Sequence, residues 1–126
     1  MTLDQNKAIA RRMLDWWLSG DVSVVDETNA PDCVVHESGG REVRGRDAHK
    51  ERLSSFISVF SDRQMTIDDV IAEGDRVVVR YSWSGVSSAN RQVNSKSMAI
   101  YRIADGKIVE EWEEHNTAGL TEQFGP

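Results

Sequence analysis

The sequence predicts an α+β fold in which N-terminal helices cover one face of a curved, mostly antiparallel sheet around a pocket. Two observations support this prediction. Apolar residues recur at helical spacing in the first half of the chain, and they alternate at strand spacing in the second half. Helices followed by a run of strands are typical of α+β folds. Because 126 residues is the size of one domain, residues 1–126 are predicted to form a single unit.

The first helix is predicted at residues 2–20. Thr2 is a suitable N-cap, and Gln5 three residues later completes a capping-box pattern. Apolar residues from Ala10 to Trp17 follow the spacing of one buried helix face. Gly20 is the expected end of this helix.

Between residues 22 and 60 the pattern predicts a short helix at 22–28, a short strand at 33–37 and a second long helix at 46–60. An apolar face at helical spacing supports the second long helix. Two consecutive glycines, Gly39 and Gly40, indicate a turn between the strand and this helix.

The second half is predicted to be mostly strand. One strand begins near residue 65, and three more lie at 77–83, 92–103 and 107–116. An Asp-Gly pair between the last two favours a tight hairpin turn. A short closing helix is predicted at 117–124.

Composition excludes several classes of partner and site. The formal net charge of −6 argues against nucleic acid or an anionic membrane surface as a partner. No apolar run has the length of a membrane span, and the N-terminus lacks signal-peptide features, so a cytoplasmic location is expected. Cys33, the single cysteine, is interpreted as a small buried filler. Three scattered histidines without ligand spacing predict no metal site.

The last predicted strand supplies the candidate site. Side chains alternate between the two faces of a strand, so residues two apart share a face if the strand has no bulge. One face then carries two carboxylates and an amide beside a tryptophan, which suggests a pocket wall: Ile108, Glu110, Trp112, Glu114 and Asn116.

Several short segments, taken together, resemble one known family. They lie at 17–21, 30–36, 43–45, 60–62, 71–80, 101–112 and 119–125. In this order and spacing they are similar to SnoaL-like polyketide cyclases of the NTF2-like superfamily, over nearly the whole chain. The resemblance implies an NTF2-like cone, a curved sheet covered by helices around a pocket for a small apolar or aromatic molecule.

The resemblance also implies an activity. Family cyclases need no cofactor and act on polyketide-like molecules by abstracting a proton next to a carbonyl. The superfamily also includes isomerases, dehydratases, epoxide hydrolases and proteins without known catalysis, so the fold alone does not decide the function. The cyclases carry an acid/base Asp four residues after the Trp, and here that position is Asn116. A non-catalytic binding or accessory protein is therefore the alternative.

Three residues are predicted to be catalytic: Asn116, Glu114 and His36. Asn116 cannot take a proton near neutral pH but could hold a substrate oxygen, and it equally suits the N-cap of the helix expected next. Glu114 is the predicted replacement base, unless it is a solvated strand end. His36 matches a recurrent family histidine and is placed at the mouth of the cone, with a structural role as the alternative.

Aromatic residues are predicted to form the pocket walls and bind the substrate. Trp112, Trp17 and Phe56 are the first choices, and Tyr81 and Met98 are added to them. Flat aromatic walls suit a planar or polycyclic ligand.

Four further expectations concern one glutamate, two histidines and assembly. Glu110 is assigned a structural pairing with Arg80 or Arg102. His115 is expected to face away from the pocket unless the strand has a bulge, and His49, on a charged helix segment, is expected to be solvated. The strand at 77–83 has apolar residues on both faces, so a homodimer through the uncovered face of the sheet is predicted.

Overall fold

A computed structural model describes residues 1–116, 119, 120 and 123. The helices are α1 Leu3–Met13, α2 Trp16–Ser19, α3 Val24–Thr28 and α4 Arg46–Ile57. The strands are β1 Asn29–His36, β2 Glu42–Arg44, β3 Phe60–Glu73, β4 Arg76–Ser87, β5 Gln92–Ala104 and β6 Lys107–His115. Within the predicted closing helix, Gly119, Leu120 and Gln123 are helical. The other residues of 117–124 lie outside the described residues.

The six strands form one sheet in the order β2-β1-β6-β5-β4-β3. Every neighbouring pair is antiparallel except β1 and β6, which are parallel. One face of the sheet, called the inner face, packs against α1, α2 and α4 around a shared core that includes Met13, Trp17, Leu53, Val79 and Tyr81. The opposite face is called the outer face. The predicted α+β architecture, with helices on one face of a mostly antiparallel sheet, is confirmed.

The first helical segment is interrupted, which the sequence did not predict. The capping box is present, since Thr2 Oγ1 accepts from the Gln5 amide at 3.1 Å and Gln5 Oε1 accepts from the Thr2 amide at 2.8 Å. Helix α1 nevertheless ends at Met13, and the chain turns before α2. This turn lets the indole of Trp17 reach the sheet, where its Nε1 donates to the Gln64 carbonyl at 2.9 Å. Gly20, at φ 77°, ends α2 in the left-handed conformation that glycine adopts without strain.

Several strand boundaries also differ from the prediction. Strand β3 begins at Phe60 rather than near residue 65, and β4 extends over Arg76–Ser87 rather than over 77–83. Two register shifts in β3 break its alternation, which explains why its pattern is weak in the sequence. Strand β2, three residues long, was missed. Cys33 is buried, as expected of a small filler.

The hairpin between β5 and β6 determines the geometry of the site. Its Asp-Gly turn has positive φ at both central residues, 50° at Asp105 and 75° at Gly106, as a type I′ turn requires. Past the turn, Ile103 pairs with Ile108, but Arg102 pairs with Glu110. One residue of β6, Val109, is therefore extra. This β-bulge reverses the faces of all residues that follow it.

Candidate functional site

The bulge turns a different set of polar residues toward the helices than the sequence predicted. Ile108 faces inward, as expected, but after the bulge the inward positions are Glu111, Glu113 and His115. Glu111 is 2% exposed and Glu113 8% exposed. The predicted shared face of Glu110, Trp112, Glu114 and Asn116 with Ile108 is wrong, because that prediction required a strand without a bulge.

A cavity of about 580 Å³ lies between the helices and the inner face of the sheet. Its walls are largely aromatic, and six rings contribute to them: Trp16, Trp17, Phe56, Tyr81, Trp83 and Tyr101. The ring of Trp17 lies 5.1 Å from that of Trp83 and 5.8 Å from that of Phe56, centroid to centroid. Such interlocked rings form a rigid wall suited to a flat apolar ligand.

An arginine holds the carboxylates of the cavity in place. Arg52, on α4, donates from Nη1 to Glu113 Oε1 at 3.0 Å and from Nη2 to Glu113 Oε2 at 2.8 Å. Its Nη1 also donates to Glu37 Oε1 at 2.9 Å. A bidentate pair of this kind fixes both the position and the rotation of the Glu113 carboxylate.

Glu111 and Glu113, called the carboxyl pair, are in opposite protonation states. Burial, then the charge of Glu113 and a hydrogen bond to it, raises the pKa of Glu111 well above its ordinary value. Burial opposes ionisation of Glu113 too, but hydrogen bonds to His115, Glu111 and Arg52 outweigh it and hold its pKa well below the ordinary value. Glu111 is therefore a neutral acid that donates to the Glu113 carboxylate.

A second network orients His115 beside the pair. Trp83 Nε1 donates to Ser97 Oγ at 3.1 Å, and Ser97 Oγ lies 2.5 Å from His115 Nδ1. His115 Nε2 lies 3.7 Å from Glu113 Oε1. The ring of His115 is therefore held between the Ser97 hydroxyl at Nδ1 and the Glu113 carboxylate at Nε2.

Two tyrosines complete the polar lining of the cavity. Burial, followed by the nearby glutamate charges, raises the pKa of Tyr81 and of Tyr101. Both hydroxyls are therefore protonated at neutral pH and can donate hydrogen bonds. The cavity thus combines the Glu113 carboxylate and the Arg52–Glu37 ion pair with neutral tyrosine hydroxyls.

Of the five predicted substrate-binding residues, three line this cavity and two do not. Trp17, Phe56 and Tyr81 contribute to its walls. Met98 lies on the outer face and is 48% exposed. Trp112 also lies on the outer face, where its ring stacks on His36 at 5.3 Å between centroids.

His36 is on the outer face as well, and not at the mouth of the cavity. Its Nε2 lies 2.6 Å from Glu110 Oε2. Glu110 in turn accepts from Arg102 at 3.1 Å, which confirms the structural pairing predicted for it. His36 therefore belongs to a cluster on the far side of the sheet from the carboxyl pair.

Glu114 and Asn116 are exposed. Glu114 Oε2 accepts from the hydroxyl of Ser38 at 3.2 Å. Asn116 Oδ1 accepts from the Gly119 amide at 3.0 Å, which is the N-cap contact that the sequence allowed. Asn116 borders a separate, more open depression of about 440 Å³ past the end of β6. The catalytic roles of His36, Glu114 and Asn116 stay predictions, and their positions do not bring them together.

Glu111, Glu113 and Arg52 were not predicted as site residues, and two histidines lie where the sequence pattern did not place them. His115, expected to face away, lines the cavity because of the bulge. His49, expected to be solvated, is 0% exposed. The alternation of Glu111, Glu113 and His115 is visible in the sequence, but it points inward only once the bulge is known. Within the described ranges, no helix is both long and apolar enough to cross a membrane.

Comparison with known proteins gives a consistent result. The profile of the SnoaL-like polyketide cyclase family matches residues 7–124. IdmH of Streptomyces antibioticus is 24% identical with a TM-score of 0.84, over 97% of this chain and 99% of that one. TsrD of Streptomyces laurentii is 22% identical with a TM-score of 0.85, over 99% and 98%.

An NTF2-like protein of unknown function from Burkholderia pseudomallei is 18% identical with a TM-score of 0.87, over the full length of both chains. At these identities the three structures show a shared fold, which is the NTF2-like cone. The search of curated proteins found no match.

Proposed function

Because the chain belongs to the SnoaL-like polyketide cyclase family, we propose that it is a cofactor-independent cyclase or isomerase acting on an apolar, carbonyl-bearing, polyketide-like molecule. The reaction proposed is abstraction of a proton from the carbon next to a carbonyl. The observation that carries the proposal is the carboxyl pair, one member ionised and one neutral, in an aromatic cavity. Two carboxyls with opposite pKa shifts supply a base and an acid at the same pH.

Glu113 is the proposed base. It is ionised, it lines the cavity, and Arg52 holds it in one orientation. Its low pKa makes it a weak base, so much of the rate must come from stabilising the enolate oxygen rather than from proton affinity.

Neutral donors in the cavity supply that stabilisation. The Tyr81 and Tyr101 hydroxyls line the cavity, and both are protonated at neutral pH. A donor that is already oriented and shielded from water favours a developing oxyanion more than water does. The chemistry proposed is carried by side chains alone, so it requires no cofactor.

The aromatic walls determine the class of ligand proposed. A volume of about 580 Å³ is in the range of small-molecule sites. Trp17, Phe56 and Trp83 present ring faces and edges to this space. We therefore expect a planar or polycyclic apolar molecule with few polar groups.

A binding protein without catalysis is the second candidate. The observation that favours it is the bidentate pair of Arg52 with Glu113, because a carboxylate with two hydrogen bonds from one guanidinium is a poor proton acceptor. In that case the pair would only orient a ligand that donates hydrogen bonds.

Exchange of carbon-bound hydrogen for deuterium distinguishes the two candidates. We expect the protein to accelerate exchange of the methyl hydrogens of 2-acetylnaphthalene in D2O, followed by NMR. Glu113→Gln should slow the catalysed exchange by about 10²-fold or more, as expected for loss of a general base.

Glu114→Gln is the matched variant, one residue away on the outer side of β6. If Glu114→Gln abolishes exchange and Glu113→Gln does not, the base is Glu114, as the sequence predicted. If 2-acetylnaphthalene quenches tryptophan fluorescence but no variant or parent exchanges hydrogen, the binding protein is the correct assignment.

We further propose a homodimer in which the outer face of one copy covers that of another. Four apolar side chains lie in register across β3, β4, β5 and β6, and they are called the outer row: Ile71, Val78, Ile100 and Trp112. Charges of both signs flank the row on each side: Glu73, Arg76, Arg102 and Glu110 on one side, and Asp69, Arg80 and Glu114 on the other. A surface with an apolar centre and both signs of charge at its rim is self-complementary.

The cytoplasmic location stays a prediction from the sequence.

A further inference from the structure

His49 is a fully buried histidine that the proposed chemistry does not yet use. It lies on α4, one turn before Arg52, and is 0% exposed. Its Nδ1 lies 3.4 Å from Nη2 of Arg52, a group that can only donate. Nδ1 is therefore the unprotonated nitrogen, and the ring proton is on Nε2.

That Nε2–H points at the carboxyl pair. It lies 3.8 Å from Glu111 Oε1. In the described part of the chain, both atoms are buried without a hydrogen-bond partner. The hydrogen bond between Glu111 and Glu113 therefore involves the other oxygen of Glu111, Oε2. Unpartnered polar atoms are rare in protein interiors. These two atoms face each other at a distance that exceeds hydrogen-bond length by less than about one ångström, so they call for a functional explanation.

The carboxyl pair can carry one shared proton or none. Only the form with the shared proton has its hydrogen bonds completed by the contacts present. With one proton shared, Glu111 donates to Glu113. When that proton leaves, two carboxylates face each other and Glu111 loses its partner. A donor within reach then stabilises the ionised form of Glu111.

We propose that His49 is a positioning residue that donates from Nε2 to Glu111 Oε1 whenever the carboxyl pair gives up its shared proton. A small movement of Glu111 toward α4 closes the gap. His49 thus lets the pair release and regain a proton without leaving a buried carboxylate unpaired. The inference goes beyond the proposed function, and depends on it only in giving this proton a catalytic use.

Among the described residues, His49 is the group whose unpartnered N–H faces the unpartnered oxygen of Glu111. The titratable and charged groups that face it come from α4 and from β1, β4, β5 and β6: His49, Arg52, Cys33, Tyr81, Tyr101 and Glu113. Arg52 is already engaged by two glutamates. Burial and the Arg52 charge lower the pKa of His49 to about 4, so above that pH it is a neutral donor.

The test follows the titration of Glu111 in the free protein by NMR of ¹³C-labelled glutamate carboxyls, assigned with Glu111→Gln. His49→Leu removes the donor, whereas His49→Gln keeps an N–H near the position of Nε2. We expect the apparent pKa of Glu111 to rise by about 1–2 in His49→Leu, as for loss of a hydrogen bond to a charged group, and to stay near the parent value in His49→Gln. Glu110, on the outer face, should titrate alike in all variants.

Equal titration of Glu111 in the parent and His49→Leu overturns the proposal, and so does an equal shift in both variants. If His49→Leu does not fold, the test is made by NMR on the parent protein alone. The His49 Nε2–H proton resonance should then move downfield with the same midpoint as Glu111, and a resonance that does not move overturns the proposal. Because no substrate is used, this result is independent of the exchange assay for the proposed function.

Discussion

Glu111 and Glu113 are two positions apart on one strand, yet their pKa values move in opposite directions. The difference comes from the hydrogen bonds to Glu113, made by His115, Glu111 and Arg52, whereas burial dominates at Glu111. The sequence does not reveal these opposite pKa shifts, because both residues are glutamates on the same strand. A glutamate on a strand is usually solvated, and only the position of α4 over the sheet makes one of these a stable anion and the other a stable acid.

The raised pKa of Glu111 predicts a specific dependence of stability on pH. A group whose folded pKa is above its unfolded value contributes stability that is present below the unfolded pKa and is lost as pH rises through the folded pKa. The parent protein should therefore lose stability from weakly acidic toward alkaline pH. Glu111→Gln stays neutral and can still donate to Glu113, so its free energy of unfolding should be flat over that range.

Urea unfolding at several pH values between 5 and 9 measures this. Glu110→Gln is the control, since Glu110 faces outward and its pKa is lowered by hydrogen bonds to His36 and Arg102. If the parent and Glu111→Gln have parallel stability curves, Glu111 is not a buried acid.

At the scale of elements, local patterns predicted most of the helices and strands because the period of apolar residues is a local property. The capping box at Thr2, the Asp-Gly turn and the apolar face of α4 are all visible in a few neighbouring residues. The bulge at Val109 is not, because it depends on how β6 pairs with β5. One extra residue in β6 exchanged the predicted site for another on the opposite face.

Deletion of Val109 tests the importance of the bulge. Without Val109, plain alternation from Ile108 places Glu110 outward and Glu111 and Glu113 inward, as in the parent protein. The Arg52–Glu113 pair should therefore be kept. We expect the free energy of unfolding to fall by about 1 kcal/mol, less than the roughly 3–5 kcal/mol typical of breaking a buried pair.

The matched control is deletion of Asn90, in the exposed loop between β4 and β5. It shortens the chain equally, and its cost should be close to that of the Val109 deletion. A loss of about 3–5 kcal/mol for the Val109 deletion alone would mean that the bulge is needed to hold the Arg52–Glu113 pair.

At the scale of the whole molecule, the sheet has one covered face and one open face. The helices and the aromatic cavity occupy the inner face, whereas the outer row extends across four strands with Ile71 62% exposed. His36 continues this row onto β1, opposite Trp112. Apolar side chains aligned across a sheet in this way are typical of a surface that another molecule covers.

The last prediction follows from that row. We expect the protein to be a dimer at micromolar concentration by light scattering, because a second copy offers the same apolar row and the complementary charged flanks. Ile100→Glu places a charge at the centre of the row, between Val78 and Trp112, and should produce monomers with an unchanged fold by circular dichroism. Glu73→Gln, at the rim beside Arg76, should leave the mass of the particle unchanged.

A parent protein that scatters as a monomer at these concentrations contradicts the dimer. It would leave the outer row as an exposed apolar surface that needs some other partner, while the cavity on the inner face, which no residue of the outer row lines, would keep its proposed chemistry.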